Sequence, residues 1–244
     1  MFGIERVDQI LDMLQDDRVV SVHEMAERLF VSEATVRRDL DALEKRGMVK
    51  RIYGGAVLIR QANRDVPLYL REGEQTDAKN IIGQKAASIV KEDDVLFIDA
   101  SSTAYHVVRH LPEQSNLVVI TCGLKAAMAL GERHIKTFCT GGLMIDNSYS
   151  FVGRHAEDLL KEVSVDIMFF SSRGVTKDGL ITDTSVEETQ LRQTMFRNAK
   201  RKVFLCASSK IGSEYFYRLC QIDELDDVFC ETDLPESWQR RLQK

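Results

Sequence analysis

Five short apolar runs, each closed by a cluster of small polar residues, constrain the fold of this chain more than any other feature. Val95–Ile98 ends in Asp99-Ala100-Ser101-Ser102-Thr103, and Leu117–Ile120 ends in Thr121-Cys122-Gly123. Ile135–Cys139 ends in Thr140-Gly141-Gly142, Ile167–Phe170 in Ser171-Ser172-Arg173-Gly174, and Val203–Cys206 in Ala207-Ser208-Ser209-Lys210. Val228-Phe229-Cys230 is one further candidate strand. Most runs are followed by a helical stretch. A strand that is apolar on both sides has no face to offer water, so it belongs in a sheet covered by helices on both faces, and such sheets are parallel. The expected class is α/β, with a mostly parallel sheet.

In open α/β sheets, ligands bind beyond the carboxyl ends of the strands. All five polar clusters fall on that edge. Hydroxyls and uncovered N–H groups at helix starts suit an anion. One such cluster alone is ordinary turn chemistry; their recurrence on one edge points to a small-molecule site. The candidate effector residues are Asp99, Ser101, Ser102, Thr103, Thr121, Gly141, Gly142, Arg173 and Lys210. Asp99 is expected to accept from a sugar hydroxyl, and Lys210 to face a phosphate. The chain carries neither a Walker A motif nor G-x-G-x-x-G, which disfavours nucleotides.

The first sixty residues follow a different rule. Val7, Ile10, Leu11 and Leu14 share one helix face. Val19-Val20 is a short extended piece. Ser21 and Glu24 have the spacing of a capping box, opening a short helix whose apolar face is Val22, Met25, Ala26 and Leu29. Phe30-Val31 is a tight turn. Ser32 caps a third helix with Val36, Leu40 and Leu43 inward, and Gly47 suits its end. Two short helices around a tight turn make a helix-turn-helix, and Thr35, Arg37 and Arg38 then lie outward near the start of a recognition helix. Met48–Tyr53 and Ala56–Ile59, joined through Gly54-Gly55, read as a hairpin, a basic wing carrying Lys50 and Arg51. The candidate DNA contacts are Ser32, Thr35, Arg37, Arg38, Lys50, Arg51, Gly54 and Gly55.

Charge agrees with this division. The whole chain of 244 residues has a net charge of −5. Between Arg28 and Arg60, however, eight basic residues face only Glu33, Asp39, Asp41 and Glu44. Affinity for a duplex follows such local excess rather than the total. Residues 1–60 are thus expected to be a winged helix-turn-helix domain, 61–75 a linker that is polar at its start and contains Pro67, and 76–244 the larger, effector-binding α/β domain.

No apolar run approaches the roughly 18 residues of a membrane span, and Met1–Arg6 turns amphipathic at once, so no signal peptide is expected. The cysteines, Cys122, Cys139, Cys206, Cys220 and Cys230, read as free thiols in a reducing cytoplasm. His106 and His110 stand at i, i+4, but nothing nearby completes a metal site; no metal and no cofactor are expected.

The segment Ala34-Thr35-Val36-Arg37-Arg38-Asp39-Leu40, followed by Leu43-Glu44, Gly47, Arg51 and Gly54-Gly55-Ala56, resembles the DeoR family of regulators. The likeness continues into the sensor domain. The family's D-x-G-S-T stands here as Asp99-Ala100-Ser101-Ser102-Thr103, without its glycine. Its T-N pair is Thr121-Cys122, without the amide; Gly141-Gly142 is intact. Its D-x-S-K is Ala207-Ser208-Ser209-Lys210, without the acid, and Glu187-Glu188-Thr189-Gln190-Leu191-Arg192 falls at the family's acidic and basic helix start. The resemblance implies a sensor domain similar to ribose-phosphate isomerases. It also implies a repressor that binds double-stranded operator DNA as a homo-oligomer, dimer or tetramer, under control of a phosphorylated sugar or related metabolite. The rival readings are a sugar-phosphate isomerase with an appended DNA-binding head, using Asp99, Asp183, Glu187 or Glu188 as base, and an interaction module without a ligand.

Overall fold

The structure, a computed structural model, describes residues 3–17, 19–45, 48–52, 54–58, 66–112 and 116–242. Residues 1–61 and 62–244 form two compact units. The first holds α1 (Gly3–Asp17), β1 (Val19–Ser21), α2 (Val22–Arg28), α3 (Glu33–Lys45), β2 (Val49–Ile52) and β3 (Gly55–Leu58). The helix faces read from periodicity meet in one core: Ile10, Leu14, Val22, Met25, Leu29, Val36, Leu40 and Leu43 are all buried. Ser21 caps α2 by accepting from Glu24 N at 3.1 Å, while the Glu24 carboxylate lies on Arg28 at 2.7 Å. Phe30 carries the turn between α2 and α3 at φ 53. Gly47 lies outside the described residues.

The hairpin pairs antiparallel, with Ile52 opposite Gly55, and β1 adds to it in the order β1-β3-β2. Gly55 is therefore already in β3 and not in the turn. A Cβ there would stand 2.4 Å from Val20 O, so β1 approaches β3 only because the residue is glycine.

The second unit opens with α4 (Leu68–Gly73) and α5 (Thr76–Ala87). Next come β4 (Val95–Ile98), α6 (Ser102–His110), β5 (Val118–Thr121), α7 (Leu124–Glu132), β6 (Lys136–Cys139), β7 (Leu143–Ile145), β8 (Ser150–Val152) and α8 (Arg154–Glu162). The rest is β9 (Val165–Phe170), β10 (Gly174–Val175), β11 (Leu180–Asp183), α9 (Val186–Asn198), β12 (Ala199–Leu205), β13 (Tyr217–Gln221), β14 (Asp227–Phe229) and α10 (Glu236–Leu242). Six strands form one wholly parallel sheet in the order β14-β12-β9-β4-β5-β6.

Both faces of the central strands β5, β4, β9 and β12 are largely buried, as continuous apolar strands require, while the edge strand β6 is mostly exposed. Phe97, Met168, Phe170 and Phe204 point to one core with Leu160, Leu191, Met195 and Trp238. Leu96, Ile98, Ile167, Phe169 and Val203 point to the other with Ile82, Val107 and Leu130. From β4 the chain builds outward through β5 and β6, then returns to β9 on the other side of β4. The gap between β4 and β9 is thus the topological switch point, where open sheets place ligands.

Two small sheets lie outside the apolar runs read as strands: the hairpin β7-β8 and the antiparallel β10-β11-β13. Part of the stretch read as linker is also structured. Leu68 and Leu70 are each 3% exposed, so burial of two leucines makes residues 68–73 a helix of the second unit; residues 61–65 lie outside the described ones. Among the described residues, no helix is long and apolar enough to cross a membrane.

Helices α5 and α6 cross closely at Gly83, where a Cβ would stand 2.6 Å from the backbone carbon of His106. We expect Gly83→Ala to destabilise the sensor unit by about 1–3 kcal/mol through overpacking. Gly131→Ala in α7, with nothing within 4 Å, is expected to stabilise it by about 0.5–1 kcal/mol. Urea unfolding of the two variants reads opposite signs if the crossing is as described, and the same sign if it is not.

Candidate functional site

In the first unit, Ser32 Oγ accepts from Thr35 N at 3.2 Å and meets Thr35 Oγ1 at 2.9 Å, which starts α3 and fixes the threonine hydroxyl. Arg6 grips Asp39 through two bonds of 2.5 and 3.1 Å, tying α1 to α3. Arg37 and Arg38 are exposed on the opposite side from Val36 and Leu40. Arg37 holds Glu33 at 2.6 Å, an exposed pair that a phosphate can replace at little cost. Arg51 pairs with Asp41, and its backbone N–H donates to Glu44 at 2.8 Å, fastening β2 to α3. Lys50 stands in β2 opposite Val57. Gly54 is exposed at the hairpin tip with φ 78. Gly55 is buried against Val20, so its part is packing.

In the second unit, the polar clusters after β4, β9 and β12 converge at the switch point. Asp99, 1% exposed, accepts from Ser101 N at 3.0 Å, Ser101 Oγ at 2.5 Å, Ser171 N at 3.2 Å and Arg192 Nε at 2.8 Å. A carboxylate offers about four acceptor positions. Asp99 is therefore occupied from within and holds the loops in place, instead of reaching for a sugar hydroxyl as its position suggested. Ser101 in turn caps α6 by accepting from Ala104 N at 3.1 Å. Ser102 and Thr103 are buried in the first turn of that helix.

Arg192 is the centre of this arrangement. Besides Asp99, its guanidinium meets Asp183 at 2.9 Å and Glu188 at 3.5 Å, and all four side chains are buried. Burial works against the charge, but Asp183, Asp99 and Glu188 together hold the Arg192 guanidinium above its usual range. Lys210 lies beside the cluster. Its Nζ donates to Ser171 Oγ at 2.6 Å and Thr103 Oγ1 at 3.3 Å. Burial, aided by the positive charges of Lys79, Arg173 and Arg71, pushes the Lys210 ammonium down to about 8, against a smaller opposing effect of Cys206. Arg173 stands 4.0 Å from Asp183 and donates to Val66 O at 3.1 Å. Burial also lowers the pKa of Arg173, in spite of Asp183 and Glu188.

The other two clusters are placed less centrally. Thr121 Oγ1 accepts from Gly123 N at 3.0 Å at the end of β5. Gly141 and Gly142 lead into β7, both at positive φ, and a Cβ on Gly142 would stand 2.5 Å from Val152 O. Asp99, Ser101 and Gly123 line a recess with Lys125, Ser148 and Tyr149.

Two residues of this site escape a reading of the strand ends. Arg71 comes from the presumed linker; its Nε donates to Val66 O at 2.8 Å, and its Nη2 is buried without a hydrogen-bond partner among the described residues. Burial lowers its pKa, opposed by Glu188, Asp183 and Asp99. Glu231 accepts from Ser208 N at 3.0 Å, so a carboxylate from beyond β14 reaches the loop where Ala207 replaces an acid. Neither residue lies in a motif; each is brought in by the fold. His110 bonds Asn80 at 2.9 Å and His106 is buried, and no metal-binding cluster exists among the described residues. All five cysteines are free, four of them buried and Cys139 exposed.

Comparison with known proteins matches residues 6–62 to the DeoR-like helix-turn-helix domain and residues 74–232 to the DeoR C terminal sensor domain. The chain belongs to the DeoR family. This DeoR-family chain is 30% identical over 244 residues to the HTH-type transcriptional regulator GolR of Listeria innocua, covering 100% of the chain and 96% of that protein. It is 29% identical over 236 residues to the lactose phosphotransferase system repressor of Staphylococcus epidermidis, covering 94% and 92%. It is 28% identical over 235 residues to the L-fucose operon activator of Haemophilus influenzae, covering 96% and 94%. Ribose 5-phosphate isomerase A of Methanocaldococcus jannaschii aligns with a TM-score of 0.43 at 21% identity, over 57% of this chain and 55% of that one. The DeoR-family protein is a DNA-binding transcriptional regulator and not an enzyme.

Proposed function

We propose that this regulator represses an operon of carbohydrate metabolism and that a sugar phosphate, bound at the switch point of its parallel sheet, sets its affinity for the operator. The observation that carries this reading is Lys210, held by Thr103 and Ser171 at the carboxyl ends of β4 and β9 with Arg173 nearby. A buried ammonium whose pKa is depressed gains most from a dianion, and a phosphate monoester is one at neutral pH. Relatives named for lactose and fucose systems support the carbohydrate context. Ser101, Ser102, Thr103, Thr121, Gly141 and Gly142 form the polar rim, and Asp99 orders it. One recognition helix reads few base pairs, so the working form is a dimer or tetramer on paired half-sites, in the cytoplasm. Coupling of about 5- to 150-fold between effector and operator suffices for a switch. Ser32, Thr35, Arg37, Arg38, Lys50, Arg51 and Gly54 face the duplex; Gly55 supports the wing from within.

The sensor reading is tested with a panel of pentose and hexose phosphates by thermal shift, where saturation at about 100 Kd stabilises by about 2.7 kcal/mol. Binding of the best compound then has a defined pH dependence. The anion favours charged Lys210, so above pH 8 association must take up a proton. Affinity falls as pH rises past about 8, by up to about tenfold per unit, and Lys210→Met removes both the dependence and most of the affinity. A panel without any shift, or a Lys210→Met variant that binds like the parent, contradicts the reading.

For the DNA head, Arg38→Ala is expected to weaken operator binding and, if the guanidinium meets a phosphate, to lower the slope of log affinity against log salt by about 0.9. Fluorescence anisotropy across a salt series measures it. Unchanged affinity and slope would remove Arg38 from the interface.

A further inference from the structure

The six-stranded sheet ends on one side at β6, and among the described residues no strand lies beyond it. An edge strand presents a row of unpaired N–H and C=O groups, which proteins normally charge, twist away or cover. The opposite edge, β14, is half-buried along its length and carries Asp227, which holds Arg201 at 2.6 Å. Strand β6 is treated otherwise. Lys136, Phe138 and Cys139 are exposed and Thr137 is half-buried, and Lys136 is the only charge of the strand. Four exposed large apolar side chains, Met128, Phe138, Leu143 and Met144, fall within residues 128–144, whereas the others among the described residues are scattered over both units. Such a gathering marks a surface that is covered in the working protein.

Helix α7 packs on β5 and β6 through Ala126 and Leu130. One flank of the helix, with Lys125, Ala129 and Glu132, lines a groove shared with Tyr105, His106 and Arg109 of α6. By helical periodicity the flank turned away from α6 carries Leu124 and Ala127, both half-buried, with Met128 exposed between the two flanks. The two charges of α7, Lys125 and Glu132, both lie on the groove flank. A helix that is apolar toward its core and apolar again on an outer flank is suited to burial on both. Past the other end of β6, Thr140-Gly141-Gly142 leads into β7, which adds Leu143 and Met144.

We propose that β6 pairs antiparallel with β6 of a second copy of this chain across a two-fold axis, joining two six-stranded sheets into one. This inference rests on the oligomeric reading above and deepens it by assigning the interface. A row of free backbone groups is matched by another extended strand, and a second copy supplies one with the same apolar surroundings. Pairing across a two-fold axis sets one residue against itself. With Phe138 at the axis, two exposed rings cover each other, and Thr137 faces Cys139 of the other copy. The two Lys136 side chains then lie at opposite ends of the pairing, each near its own Phe138 ring at 5.7 Å, so like charges stay apart. Centring the axis on Thr137 brings the lysines nearer and leaves the rings apart. A parallel pairing stacks lysine on lysine.

The test uses the full-length protein and the variants Phe138→Asp and Cys139→Ser. Sedimentation equilibrium is expected to give a dimer or tetramer for the parent. Phe138→Asp sets two carboxylates face to face and is expected to sediment at half the parent's mass, with its fold checked by circular dichroism. Cys139 alone among the cysteines is exposed. In this register its Cα lies about 8 Å from that of Cys139 in the other copy, within reach of a short bismaleimide. The reagent is expected to yield a covalent dimer of the parent, with the Cys139–Cys139 link found by peptide mass spectrometry, and none of Cys139→Ser. The crosslink is read on the parent, so it decides the matter even where Phe138→Asp fails to fold. If the parent is an oligomer but a folded Phe138→Asp keeps its mass, or the crosslink does not form, the inference is overturned while the oligomeric reading stands. If the parent is a monomer both alone and on an operator with two half-sites, the two fall together.

Discussion

The sensor domain depends on one buried cation. Arg192 of α9 reaches Asp99 at the end of β4, Asp183 at the end of β11, and Glu188 one turn back on its own helix. These contacts join the parallel sheet, the small antiparallel sheet and the helix between them at one point. Each carboxylate alone would be too costly to bury, and so would the guanidinium; together they satisfy one another. Asp99 then has its remaining positions taken by Ser101 and Ser171, which aligns the loops after β4 and β9. Lys210, Arg173 and Arg71 stand around this knot, and its three carboxylates, which outnumber its one guanidinium, offset part of the charge of Arg173 and Arg71.

The winged helix-turn-helix works on the opposite principle. Its basic residues are displayed at the surface, and the ionic ties that hold it together, such as Arg6–Asp39 and Arg51–Asp41, lie between elements of the same unit. Exposed charge grips a duplex without reading much sequence. Buried charge selects a small anion by the number and direction of its donors. A regulator needs both, and this chain keeps them in separate compact units.

Much of this was legible in the sequence because it rests on local or periodic rules. Apolar runs without alternation gave away strands buried on both faces, and Ser21 and Ser32 marked helix starts that the structure bears out as caps. The parallel sheet followed from alternating strands and helices, whereas the strand order, and with it the switch point, came from the fold. What stayed hidden was long-range. Arg71 stands in a polar-looking stretch whose leucines reveal their burial only in the fold. Asp99 looks like a free acceptor until Arg192, 93 positions away, is seen to occupy it. Gly55 looks like turn chemistry until Val20 is found against it. The short strands β10, β11 and β13 carry Gly, Thr, Asp and Arg, with too few apolar positions to announce a sheet.

The claim that a single buried guanidinium organises the sensor is open to one direct measurement, the unfolding free energy of Arg192→Met from urea titration at neutral pH. Removal of one partner from a buried ionic cluster leaves uncompensated charge, and the account predicts a loss of about 3–5 kcal/mol from the sensor transition. A variant that unfolds at the parent's urea midpoint with the parent's slope would show that Asp99, Asp183 and Glu188 do not need Arg192, and the central claim would be wrong.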